Sequence, residues 1–232
     1  MAKYRIGVFA SGGGSNLHAL MDRIQSGDLP ADLAFVLSNN SKSGALAKAR
    51  AFGTKAWHVS AVTEGGEDGQ DGKGGERKAI ERMAAIVKDS GIDLLVLAGY
   101  MKLVPPTVHA CLKNRILNIH PALLPAFGGA GMYGRHVHEA VVARGCQYSG
   151  VTIHMVNAAY DEGQILLQRI VPIPAGSSAE AVAAEVLKCE HAYYWQVVRG
   201  FATGEIRPTE SAEPGQAVDL GRFLDRFPPF DL

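Results

Sequence analysis

Residues 4–27 read YRIGVFASGGGSNLHALMDRIQSG, and this stretch decides the fold. Tyr4 to Ala10 is a largely apolar run of strand character. Asn16 to Ser26 has the period of a helix, and Gly27 supplies the residue that closes one. Three consecutive glycines, Gly12 to Gly14, join the two. A strand that feeds a helix through a tight glycine turn opens a βαβ unit, so the expected class is α/β.

The pattern repeats outward from there. Leu33 to Leu37 reads as a second strand, Ala45 to Ala51 as a helix stopped near Gly53, and Ala56 to Val59 as a short strand. A helix over Arg77 to Ser90 precedes the strand Ile92 to Gly99, and a short helix over Thr107 to Leu112 leads to a strand at Arg115. This order predicts a mostly parallel twisted sheet with helices on both faces. Arg135 to Arg144 is expected to be helical. SGVTIHMVN (149–157) and QILLQRIVPI (164–173) then form an antiparallel hairpin around AAYDEGQ (158–164). Ser177 to Glu180 has the spacing of a capping box, opening a long helix to about Gly200. Residues 1–207 are read as one domain and 208–232 as an irregular tail. TEGGEDGQDGKGG, from Thr63 to Gly75, is expected to be a surface loop.

Composition narrows the function classes. Of the 232 residues, 47% are hydrophobic, and no run approaches the roughly 18 apolar residues of a membrane span. Lys and Arg total 23, as do Asp and Glu, so no overall field favours nucleic acid or anionic membrane, and a small-molecule ligand fits better. The start, MAKYRIGVFASGGGSN, has no apolar signal region followed by a cleavage site, and export is not expected. Cys111, Cys146 and Cys189 lack any C-x-x-C spacing, which argues for a reducing compartment; the expected location is cytoplasmic.

Two clusters carry chemistry. In ASGGGSN, glycines and the N–H groups of a helix N-terminus suit an anion, with Ser15 and Asn16 as further donors. A dinucleotide fingerprint would place glycine at Leu17 and an acidic residue where strand two ends in Ser38 to Asn40; a Walker loop would need Gly-Lys-Ser/Thr. A phosphomonoester therefore fits better than NAD or ATP. In RILNIHPALLP (115–125), Asn118 and His120 lie two apart on a strand and project together at its C-terminal end, where Pro121 turns the chain away. An amide beside an imidazolium suits a developing oxyanion. A carboxylate to support the charged ring is expected from Asp161 in the hairpin turn.

Together GGGSN, LAGYMKLV (97–104), NIHPALLPAF (118–127), GVTIHMVNAAYDEGQIL (150–166) and CEHAYY (189–194) resemble the phosphoribosylglycinamide formyltransferase family, over about residues 4 to 207. The resemblance implies a Rossmann-like formyltransferase fold, with a phosphate-binding half over about 1–99 and a catalytic, folate-binding half over about 100–207. It implies formyl transfer from 10-formyltetrahydrofolate to the amine of glycinamide ribonucleotide in purine synthesis, without a metal, by a monomer or weak homodimer. Gly14, Ser15, Asn16 and Glu190 would hold the ribonucleotide. Met101, Lys102, Leu103 and Val104 would border the pterin pocket, Asn118 would also face the folate, and Arg77 would meet the glutamate tail. Asn118, protonated His120 and Asp161 match the catalytic set, with Asp161 raising the His120 pKa.

This chain departs from many relatives in reading Asp161-Glu162-Gly163-Gln164 where they carry Asp-x-Gly-Pro. FGGAGMYGRHVHEAV (127–141) is glycine-rich, leaving the roles of His136 and His138 open. The rival readings are a formyltetrahydrofolate deformylase, a methionyl-tRNA formyltransferase, a non-catalytic phosphate-ligand module, and a metal hydrolase on His120, His154 and Asp161. The last has no compact ligand spacing.

Overall fold

The computed structural model describes residues 3–61, 72–211 and 216–227. Seven strands form one sheet: β1 (Tyr4–Phe9), β2 (Ala31–Ser38), β3 (Lys55–His58), β4 (Leu94–Leu97), β5 (Ile116–His120), β6 (Tyr148–Met155) and β7 (Ile165–Pro172). Their order is β3-β2-β1-β4-β5-β6-β7. β1 to β5 pair in parallel, and β6 joins β5 antiparallel, with β7 antiparallel to β6. The expected parallel sheet with an added hairpin is thus observed. The helices are α1 (Ser15–Ser26), α2 (Gly44–Ala51), α3 (Gly72–Ser90), α4 (Pro106–Cys111), α5 (Arg135–Ala143) and α6 (Ala179–Ala202).

Consecutive residues of one strand feed opposite cores. Leu94 and Val96 join α1 and α6 residues such as Leu17, Leu20 and Val197, whereas Leu95 and Leu97 join Met83 and Val87 of α3 and Val108 of α4. This is the period-two pleat of a strand covered on both faces, and it makes LLVL buried throughout.

Three boundaries differ from expectation. The chain is already helical from Gly72, so the end of the expected Thr63–Gly75 loop belongs to α3, and the remainder lies outside the described residues. The cap of α6 is Ser178, whose hydroxyl accepts from the Ala181 N–H at 3.2 Å; Ser177 instead donates to the Pro174 carbonyl. The segment after Pro208 is not wholly irregular. Arg207–Pro208 (β8) pairs with Val218–Asp219 (β9), and a 3-10 turn over Phe223–Arg226 buries Phe223 in the α1/α6 core, with Phe227 beside it. Burying aromatic rings outweighs the local Pro and polar signals that favour irregular chain.

Candidate functional site

A cavity of about 670 Å³ opens at the C-terminal ends of β1, β4 and β5. This is the edge where open parallel sheets hold ligands, because the loops leaving adjacent strands diverge there. It brings together Gly12 to Asn16, residues 97 to 104, Asn118 to Pro121, His154, Asp161 and Glu190. Of the sequence-predicted residues, Arg77 alone is outside this lining. It lies on α3 with a side chain 77% exposed, 3.8 Å from Glu81.

At one end, Gly14 adopts φ 72° as the N-cap of α1, a left-handed conformation that favours glycine. A Cβ there would lie 2.8 Å from the Ala45 Cα, so glycine is also required by packing. No side chain caps α1 and its first turn carries no acid, which leaves the helix N-terminus electropositive. Asn16 reaches across to α6, its Nδ2 donating to Glu190 Oε2 at 2.8 Å. Burial pushes the Glu190 carboxyl up to about 7, against the opposing pull of the Asn16 amide.

In the middle, the β5–β6 register sets Asn118 opposite His154 and His120 opposite Thr152, so these four side chains share one face. His154 Nδ1–H donates to the Met155 carbonyl at 2.9 Å, which leaves Nε2 to accept from Asn118 Nδ2 at 3.0 Å. That bond fixes the amide and leaves Asn118 a second N–H. His120, 3% exposed, donates from Nε2 to the Phe127 carbonyl at 2.8 Å. Its Nδ1 lies 3.6 Å from Asp161 Oδ2, while Asp161 Oδ1 lies 3.6 Å from His154 Nε2. The Gly129 N–H donates to Asp161 at 2.9 Å.

Asp161 sits at φ 58°, a strained value for a residue with a side chain, at the site where its carboxylate is needed. Gly163 supports this turn, since a Cβ there would run into the Met155 carbonyl. Burial pushes the Asp161 carboxyl up, but the Gly129 N–H and the neighbouring His120 outweigh it, and the group stays below its ordinary value. For His120 the balance is the reverse: burial lowers the imidazole, and the raising effects of Asp161 and the Phe127 carbonyl do not overcome it. The expectation that Asp161 lifts His120 is therefore correct in sign for that pair, but the net shift is downward. Low dielectric around the ring penalises the cation more than one carboxylate at 3.6 Å favours it.

At the far end, Met101 and Leu103 are apolar yet 43% and 42% exposed, and they line the cavity with Leu97, Val104 and Val156. Such an open apolar wall suits a flat heteroaromatic ring. Sequence reasoning gave no site role to His138, which is buried on the cavity wall from α5, nor to Arg135 and Glu180, which also line the cavity and pair with each other at 2.9 Å. The alternation of Arg135-His136-Val137-His138 with buried Val137 and Val141 was the available signal. Among the described residues, no group of three or more His, Cys, Asp or Glu side chains could hold a metal ion, and no helix is long and apolar enough to cross a membrane.

An electropositive loop at one end of a cleft, an amide, imidazole and carboxylate at its centre and an apolar wall at the other end define an enzyme that moves a small group between two bound molecules. The family model described as formyl transferase matches residues 4–198, and the chain belongs to that family. Within it, the particular resemblance is to phosphoribosylglycinamide formyltransferases. The chloroplastic enzyme of Arabidopsis thaliana is 37% identical over 210 residues, which cover 90% of this chain and 69% of that protein. The enzyme of Haemophilus influenzae is 34% identical over 88% of this chain and 89% of its own length. The crystal structure of glycinamide ribonucleotide transformylase 1 from Symbiobacterium toebii superposes with a TM-score of 0.79 at 34% identity, covering 90% of this chain and 92% of that one. The chain spans about two thirds of the length of its chloroplastic relatives and about nine tenths of the bacterial ones.

Proposed function

We propose that this formyltransferase moves the formyl group of 10-formyltetrahydrofolate onto the primary amine of glycinamide ribonucleotide, a step of purine synthesis. The observation that carries the reading is the single cleft that joins the α1 N-terminus, through Asn118, His120 and Asp161, to the apolar wall at 101–104. Gly14, Ser15 and Asn16 take the phosphate, and Glu190 orients the ribonucleotide. Met101, Lys102, Leu103 and Val104 border the pterin, so the phosphate half ends near residue 99 and the folate half runs on to about 207. Arg77, on the exposed face of α3, is assigned to the donor's glutamate tail by family resemblance alone.

The amine attacks the formyl carbon, and the carbonyl oxygen becomes an oxyanion. The second N–H of Asn118 and the protonated ring of His120 stabilise it. Burial disfavours the charged form of His120 in the free protein, but an oxyanion beside the ring favours it, with Asp161 as the standing counter-charge. Asp161 also aligns a water that carries a proton from the amine to the departing folate nitrogen. Atoms balance without a covalent enzyme intermediate, and alignment of the two substrates supplies much of the acceleration.

The test is an assay containing both substrates. Formylated glycinamide ribonucleotide is expected in step with loss of the formyl donor; formate alone would replace this reading with the deformylase one. His120→Ala is expected to cut turnover by roughly 10²-fold or more while leaving ribonucleotide binding within a few-fold of the parent.

A further inference from the structure

The glycine loop does not hold its shape alone; α2 grips it from behind. Ser43 Oγ donates to the Gly12 carbonyl at 2.7 Å, and the Ala45 N–H reaches the same oxygen at 3.4 Å. Lys48 Nζ donates to the Gly13 carbonyl at 2.5 Å. The backbones touch, since a Cβ on Gly44 would lie 2.9 Å from the Gly13 oxygen. In a planar trans peptide the C=O and the next N–H point in opposite directions. Drawing the carbonyls of Gly12 and Gly13 toward α2 therefore turns the N–H groups of Gly13 and Gly14 away from it, toward the cavity these residues line.

The Gly13 contact is the one that depends on a charge. A carbonyl facing an ammonium is polarised, which strengthens the N–H of the same peptide as a donor. The Lys48 cation also adds a positive field close to the uncapped end of α1. We propose that Lys48 is a positioning residue for the anion site: it fixes the Gly13–Gly14 peptide with its N–H facing the phosphate of the substrate, and so sets affinity for the phosphorylated substrate. The inference rests on the phosphate reading of residues 14–16 given above.

Ribose 5-phosphate, titrated calorimetrically into the whole protein, reads this without turnover. Wild type is expected to bind it, Lys48→Met to bind roughly tenfold more weakly, and Lys48→Arg to recover most of the loss. Lys48→Met keeps most of the aliphatic stem and removes only the charge, and an unchanged thermal midpoint confirms that the protein is folded. In the transfer assay the KM for glycinamide ribonucleotide should rise by a similar factor in Lys48→Met, whereas the KM for the formyl donor should not. Wild-type binding with an equal Kd for Lys48→Met would overturn the role of Lys48. No binding by wild type would overturn the phosphate reading of the loop itself, and this inference with it.

Discussion

Glu190 shows how a single side chain ties affinity to stability. It is 7% exposed, accepts from Asn16, and titrates near pH 7 where an unfolded glutamate titrates near 4.5. Between those values the folded protein holds a proton that the unfolded chain has lost, so this group's contribution to stability falls as pH rises from about 4.5 to 7. Glu190→Gln keeps an acceptor for Asn16 and removes the titration. Its unfolding free energy should exceed wild type by on the order of 2 kcal/mol at pH 8 and match it near pH 4.5, measured by urea titration at both values. Ribonucleotide binding should weaken in the same variant. At this scale the sequence was partly legible. Asn118 and His120 were readable because residues two apart on a strand share a face, and Asp161 because a turn carboxylate was needed nearby. The bond from Asn118 to His154 was not readable, because it depends on antiparallel register between strands separated by a helix and two loops.

Among the elements, the hairpin after β6 has an unforeseen support. Gln164, at the end of the hairpin turn, donates from Nε2 to the Val218 carbonyl at 3.2 Å and accepts the Val218 N–H at 2.9 Å. Its own carbonyl accepts from Met155 N at 2.8 Å, next to His154. The turn that carries Asp161 is therefore tied to β9, in the segment after Pro208. Gln164→Ala removes two hydrogen bonds and should cost about 1–3 kcal/mol, with faster amide exchange at 216–220 and no comparable change in β4. The sheet strands were legible from composition, since Leu94 to Leu97 is apolar on both faces. The β8–β9 pair was not: two-residue strands carry no periodicity, and Gln164 is an ordinary polar residue until its partner is known. Ser177 and Ser178 illustrate the same limit. Either serine satisfies the capping pattern approximately, and only the hydroxyl direction chooses between them.

For the whole molecule, the cleft concentrates titratable groups whose shifts oppose one another, and the acid response follows from their signs. His120 and His138 are both buried and both held below the ordinary histidine value, His120 chiefly by burial and His138 by burial and by proximity to His120. The unfolded chain protonates these rings below about pH 6.5 while the fold resists, so their contribution to stability falls as pH drops through that range. Asp161, held low, loses its contribution only at more acid pH, and Glu190 acts in the opposite sense between 4.5 and 7. The Nδ1 atom of His138 is buried and has no hydrogen-bond partner among the described residues, so replacing the ring removes an acid liability without breaking a bond at that atom. His138→Leu should narrow the gap in unfolding free energy between pH 7.5 and pH 5, and Glu190→Gln should widen it, because it removes the only one of these four contributions that grows on acidification. Urea midpoints of wild type and the two variants at the two pH values decide the matter. An unchanged gap in His138→Leu would show that its ring does not resist protonation in the fold.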